Sequence, residues 1–176
     1  MRSPKQTGDL SARRFHGLAP ARELIMHLDY RLSENWDSDP AFLLEADETD
    51  FRYYTFAGDI ILRDAQTDLS THWGWVPLVD FAVGLRDIST AIESGIAAAR
   101  KFEFTESDAN LEFERHGADV TIRSSYAPGK IILPSAEFRK RILDFGHRLD
   151  RELLSRLPGL RQNAAYQSLK LSGLRD

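Results

Sequence analysis

The chain has 176 residues, a formal net charge of −4, 42% hydrophobic and 28% charged residues, and no cysteine. Such a length fits one domain of about 100–200 residues, and a domain near this size buries about 70% of the surface its unfolded chain exposes. The missing cysteine excludes disulfide staples, cysteine nucleophiles and thiolate metal sites; the acidic balance argues against nucleic acid as partner; no apolar run nears the roughly 18 residues that span a bilayer.

Met1 to Pro20 is polar and weakly basic, without the apolar stretch of a secretory signal. It reads as a flexible tail, with Leu18 the one residue suited to docking. We expect a soluble, cytoplasmic protein with no membrane partner. Ile25 to Ser33 alternates: Met26, Leu28, Tyr30 and Leu32 take one side, and His27, Asp29 and Arg31 the other. That is a strand with one buried face. Glu34 to Pro40 reads as a loop carrying Trp36. Phe51 to Leu62 reads as one long strand or a bent pair, with Tyr54, Phe56, Ile60 and Leu62 on one parity. Gly58 interrupts it, which marks a bulge or a close approach of backbones. Leu69 to Trp73 predicts a short return strand.

Two tryptophans then flank a glycine in His72-Trp73-Gly74-Trp75-Val76-Pro77. Pro77 suits the first turn of a helix, where its missing N–H costs nothing. Leu78, Phe81, Ala82, Leu85, Ile88 and Ile92 make an apolar stripe at helical spacing, and Gly95 ends it. Phe102 and Phe104 alternate with Glu103. Leu111–Glu114 and Val120–Arg123 flank His116-Gly117-Ala118-Asp119, a hairpin signal. Lys130 to Leu133 gives a last strand. Ser135 reads as the N-cap of a second helix, whose stripe runs through Phe138, Ile142, Phe145, Leu149, Leu153 and Leu157 to Pro158-Gly159. The order predicts an α+β fold: a mainly antiparallel sheet with two main amphipathic helices packed on one face. The domain spans residues 21–160, and 161–176 form a tail or short helix.

Few residues carry the pattern of a reaction. The histidines, His16, His27, His72, His116 and His147, include no pair at metal-ligand helical spacing. Gly-x-Ser-x-Gly, Gly-x-Gly-x-x-Gly and lysine phosphate loops are missing. Glu112 and Glu114 share one strand face, a spacing that carboxylate chemistry can use, but they alternate with Leu111 and Phe113 and read first as the wet side of a sheet. Asp59, Trp73, Trp75 and Asp80 are the residues that can frame a pocket. For each there is a plain structural alternative: a bulge carboxylate for Asp59, core anchors for the tryptophans, and a helix-start carboxylate for Asp80. No cofactor or metal is expected.

Charge is unevenly spread. From Asp29 to Asp59 nine acidic residues stand against Arg31 and Arg52. Within that stretch Asp37, Asp39, Glu45, Asp47, Glu48 and Asp50 form a candidate partner-binding surface. Attraction of a basic partner is the functional reading; solubility is the plain one.

Gly58-Asp59-Ile60, Trp75-Val76-Pro77-Leu78-Val79-Asp80-Phe81-Ala82, Phe102-Glu103-Phe104, Leu111-Glu112-Phe113-Glu114-Arg115, Val120-Thr121-Ile122 and Leu157-Pro158-Gly159-Leu160 with Asn163 together carry a resemblance. Over roughly residues 29–163 the chain resembles the small immunity-like domains of bacterial polymorphic toxin systems. The resemblance implies a non-enzymatic cytoplasmic protein that neutralises a cognate toxin by occluding it, and transfers no catalytic signature. Two other classes stay open. One is a small-molecule or metal-dependent enzyme with its site near Asp59, Trp73 and Asp80. The other is a structural subunit of a larger assembly, of which an exposed apolar patch on a helix would be the sign.

Overall fold

Alternating and striped segments become seven strands and five helices in the computed structural model, which describes residues 25–34 and 40–173. The expected N-terminal tail, Leu18, Trp36, Asp37 and Asp39 lie outside the described residues. β1 (His27–Leu32), β2 (Ala57–Arg63) and β3 (Val76–Pro77) form one antiparallel sheet in the order β1-β2-β3. β4 (Ala99–Glu103), β5 (Asn110–His116), β6 (Asp119–Ser124) and β7 (Ile131–Pro134) form a second, in sequence order. The fold is α+β. The strands divide into two sheets, and the 16-residue helix α3 (Leu78–Glu93) lies between β3 and β4 in the chain.

One face of each sheet is apolar, as period-two alternation requires. Leu28, Ile60 and Leu62 line the first; Leu111, Phe113, Val120, Ile122, Ile131 and Leu133 line the second, and all are buried. Between them α3 packs beside α4 (Ser135–Arg156). α3 reaches β2, β3 and β4, while α4 reaches β1, β6 and β7, so the helical layer joins the sheets. Leu78 to Val83 of α3 are all buried, and so are Phe138, Ile142, Phe145, Leu149 and Leu153 of α4. Leu157, the last position of that stripe, follows the helix and is half-buried.

Several elements differ from expectation. Phe51 to Leu62 is not one strand: α1 (Pro40–Glu45) and α2 (Glu48–Tyr53) precede β2. The Asp47 side chain accepts from the Asp50 amide at 2.9 Å, and the Asp50 carboxylate accepts from the Asp47 amide at 3.0 Å. This reciprocal box satisfies two amides that a helix start leaves open, and it turns the Phe51 parity into a helical one. Leu69 to Thr71 lies alongside β2 through bonds from Leu69 N–H to Leu62 O (2.8 Å) and Thr71 N–H to Ile60 O (2.9 Å), without becoming a strand. Ser135 is the first residue of α4, not its cap; its hydroxyl donates to Ala118 O at 2.6 Å. Gly95 ends α3 with a φ of 70° and Gly117 turns the β5–β6 hairpin with a φ of 64°, both as the sequence predicts. After α4 a 3-10 turn (Pro158–Gln162) leads to α5 (Ala164–Ser168), and Tyr166, Leu169 and Leu171 are buried.

At Gly58 the close-approach reading is the correct one. It pairs with Leu32 on one side and Val76 on the other. A Cβ there would stand 2.2 Å from Arg31 O. Gly58→Ala should therefore cost about 3 kcal/mol of stability, because backbone cannot yield as a side-chain tip can. Urea unfolding checks it.

Three phenols lie within the packing. Tyr30 donates to Glu152 at 2.6 Å, Tyr126 to Leu69 O at 2.8 Å and Tyr166 to Asp150 at 3.0 Å. Burial, with carboxylates nearby, pushes all three above the ordinary tyrosine value. The unfolded chain begins to lose these protons near pH ~10 while the folded chain keeps them. Stability is thus fully supported below that pH and falls as pH rises above it. Unfolding free energies measured across the alkaline range should decline, with a shallower slope in Tyr126→Phe.

Candidate functional site

The acidic stretch folds into a surface whose underside is apolar. Leu43, Ala46 and Phe51 are buried and seat α1 and α2 on the core, where Phe51 meets the Tyr166 ring edge-on at 5.4 Å. Asn163 holds the loop between the helices: its amide nitrogen donates to Leu43 O (3.1 Å), Leu44 O (3.2 Å) and Ala46 O (3.0 Å). The same side chain accepts from the Tyr166 amide at 2.9 Å and caps α5. Backbone acceptors of α1 are thereby satisfied without water, which fixes the helix pair from below.

Other side chains of this segment are open to solvent. Phe42, Leu44, Tyr53 and Tyr54 are 44%, 58%, 37% and 74% exposed. Carboxylates stand among them, with unequal freedom. Asp47 and Asp50 are committed to each other's amides, so they act first as helix caps. Glu48 lies 3.9 Å from an Arg52 nitrogen, a weak exposed pair. Glu45 is exposed and forms no ion pair among the described residues.

Asp59, Trp73 and Trp75 come together; Asp80 is engaged elsewhere. Gly74 takes a φ of 71° between the tryptophans, its amide donating to Asp59 at 2.8 Å and its carbonyl accepting from the Ser33 hydroxyl. Asp59 therefore shapes the turn that carries the chain out of β2 and into β3. The indoles stack at 5.0 Å and 14°, and Trp73 sets its edge against Phe104 (5.1 Å) and Tyr126 (4.9 Å). Both tryptophans are half-buried and packed on the core.

Asp80 occupies the third position of α3, near the positive helix end, and is 6% exposed. Its main partner is Arg52, whose Nε and Nη2 both donate to one carboxylate oxygen, at 2.8 and 2.6 Å. Burial draws the Arg52 pKa down, but the hydrogen bond and charge of Asp80 more than offset it and hold the guanidinium charged. Arg52 also lies 5.5 Å from the Tyr53 ring centre, within cation–π range. The pair helps to line a groove of about 710 Å³, together with Gly84 of α3 and Phe102 and Asn110 of the β4–β5 hairpin.

Sequence reasoning missed the partners of these residues. Arg52 reads only as a charge within an acidic run, yet it binds a carboxylate 28 positions away. Phe42, Tyr53 and Tyr54 gave no sign of exposure, because their place depends on α1 and α2. Glu112 and Glu114 lie on the wet side of β5, paired with Lys101 (3.4 Å) and with Arg123 (3.2 Å) and His116 (3.1 Å). Hydrogen bonding and charge from His116, then Arg123, hold the Glu114 carboxyl below its usual range. His27, His72, His116 and His147 are exposed, and among the described residues no three His, Cys, Asp or Glu side chains gather where a metal could sit. Among those residues no helix is long and apolar enough to cross a membrane.

Removing one member of the Arg52–Asp80 pair leaves the other in poor solvent. Arg52→Ala should lower stability by about 2 kcal/mol, because Asp80 is the more deeply buried partner. Arg52→Lys should recover only part, since one ammonium does not reproduce two guanidinium donors in that geometry. Urea unfolding of both variants, closed as a cycle with Asp80→Asn, checks the ordering. No protein-family model, no curated protein and no solved structure matches the chain.

Proposed function

We propose that the chain is a non-enzymatic binding protein: an immunity protein that neutralises a basic bacterial toxin by occluding it. The observation that carries the reading is the exposure of four large apolar side chains, Phe42, Leu44, Tyr53 and Tyr54, in the short segment that also carries the exposed Glu45 and Glu48. Exposed large apolar side chains are the raw material of contact surfaces. Tyrosine supplies contact area at low entropic cost. Carboxylates on the same surface speed the encounter with a basic partner and specify it more than they tighten the complex. A standard interface covers about 800 Å² per partner, within reach of a domain of this size. A chain without cysteine suits the reducing cytoplasm, where such a protein would act.

The same apolar residues also suit a subunit of a larger assembly. Charge separates the two readings. Permanent interfaces exclude charge from their cores and tolerate salt, whereas steered association weakens as ions screen it.

Asp47 and Asp50 are unsuited to a charge test because they cap α2, so the test falls on Glu45 and Glu48. Affinity capture from the encoding organism should yield a dominant basic partner at low salt, less of it at physiological salt. Glu45→Lys with Glu48→Lys should slow its association about tenfold at low salt while leaving the circular dichroism spectrum unchanged. The captured protein should be toxic alone and harmless when co-expressed with the parent chain. Equal association rates for parent and variant at low salt overturn the charge-steered reading. Salt-independent co-purification favours the assembly subunit instead.

A further inference from the structure

β4 is one of the two edge strands of the second sheet, β7 being the other. Its pairing with β5 places Arg100 opposite Phe113, Lys101 opposite Glu112 and Phe102 opposite Leu111. Bonds from Arg115 N–H to Ala98 O (2.7 Å) and from Phe104 N–H to Ala109 O (3.0 Å) fix the phase of this ladder. Even-numbered residues of β4 bond to β5; in an antiparallel pair the odd-numbered ones then turn their amides and carbonyls outward. Among the described residues nothing bonds to the main chain of Lys101 or Glu103 on that outer side. The groove that Arg52 and Asp80 help to line is also lined by Lys101, Phe102 and Glu103 of this strand. Its floor is tight: a Cβ on Gly84 of α3 would stand 2.7 Å from the Phe102 ring.

An open strand edge above a helix is the geometry in which an extended peptide adds to a sheet, its main chain supplying affinity and its alternate side chains specificity. The charges indicate which peptide. Lys101 is matched by Glu112 across the ladder (3.4 Å), and Arg52 by Asp80. Glu103 and Asp108, both beside the groove, form no ion pair among the described residues, and Glu106 is exposed in the turn between them. Arg100, at the other end of β4 and away from the groove lining, is the one cation of the strand without an ion pair among the described residues, so the unbalanced charge at the groove is negative.

We infer that β4 takes up an extended, basic segment of a protein partner as a fifth strand. One set of its side chains enters the groove over Phe102 and Ile88, and its lysines or arginines meet Glu103 and Asp108. The inference rests on the binding reading above and deepens it by naming the form of the partner, with the contact placed on Glu103 and Asp108 rather than on Glu45 and Glu48. Lys101 on the exposed edge disfavours indiscriminate pairing of edges, which leaves selection to the acidic end of the strand.

The test uses the full chain and two capped synthetic hexapeptides, Lys-Val-Lys-Val-Lys-Thr and its glutamate counterpart. The lysine peptide should slow hydrogen exchange of the Lys101 and Glu103 amides about tenfold, and the glutamate peptide should leave them unchanged. Glu103→Lys with Asp108→Lys should weaken binding of the lysine peptide about tenfold. Lys101→Pro removes one outward donor without touching the bonds to β5, and should lower affinity similarly at unchanged fold by circular dichroism; Lys101→Ala should not. Three results overturn the inference: no binding of the lysine peptide at millimolar concentration, binding that leaves the β4 amides unprotected, or Lys101→Pro binding as the parent does. Concentration-dependent protection of these amides without peptide also overturns it, assigning the edge to a second copy. Loss of peptide binding in Glu45→Lys with Glu48→Lys alone overturns the strand site and leaves the binding reading standing.

Discussion

Phe81 stands where the three parts of the molecule have to meet. Its ring lies edge-on to Phe102 of β4 at 5.1 Å and to Phe145 of α4 at 5.6 Å, and parallel to Phe104 at 6.4 Å. From Phe145 the contacts continue to Tyr30 of β1 at 5.5 Å, and from Phe104 to Trp73 and the stacked Trp75. One aromatic series thus runs from the first sheet through both long helices to the second. Two sheets without a shared strand have no hydrogen-bond ladder to set their relation, so packing must set it. Aromatic rings suit the task because edge and face attract in a restricted range of geometries, worth about 0.5–1.5 kcal/mol a pair beyond the area they bury. The positions of the α3 groove and of the Trp73-Gly74-Trp75 turn follow from that series.

Charge on the α1–α2 surface has two layers of meaning. Asp47 and Asp50 make the helix that displays Tyr53, and Arg52, one turn after Glu48, ties that helix to Asp80 at the start of α3. Residues that read together as one acidic run thus divide into those that build the surface and those that face outward from it. Arg52 also links this surface to the β4 groove, since it lies beside Tyr53 on one side and Asp80 on the other.

Long-period signals were legible in the sequence. Apolar stripes named α3 and α4 because each repeats over several turns, and the β5–β6 hairpin was legible because Gly117 sits between two alternating runs. Short elements were not. The box formed by Asp47 and Asp50 is an aspartate variant of a pattern usually carried by serine or threonine with glutamate, and Tyr54, Phe56, Ile60 and Leu62 happen to share a strand parity. Phe56 lies between helix and strand with a φ of 54°, an unusual conformation for a non-glycine residue that propensity does not foresee. The candidate site was half legible. Asp59 and Asp80 stood out as acids among apolar neighbours, but their partners, Gly74 N–H and Arg52, are set by tertiary packing. The openness of β4 was not readable either, because being an edge is a property of strand order rather than of any segment.

Asn163 gives the surface a history as well as a geometry. The carbonyls that it holds belong to residues 117 to 120 positions earlier in the chain. During synthesis α1 and α2 leave the ribosome long before this amide does, and the residues of α4 are made in between. Until then the carbonyls of Leu43, Leu44 and Ala46 have only water to bond. The backbone beneath Phe42 and Leu44 thus gains its Asn163 support only once the chain has been made to residue 163. Under the proposed reading, a partner that met the nascent chain would find those side chains made but not yet held by Asn163.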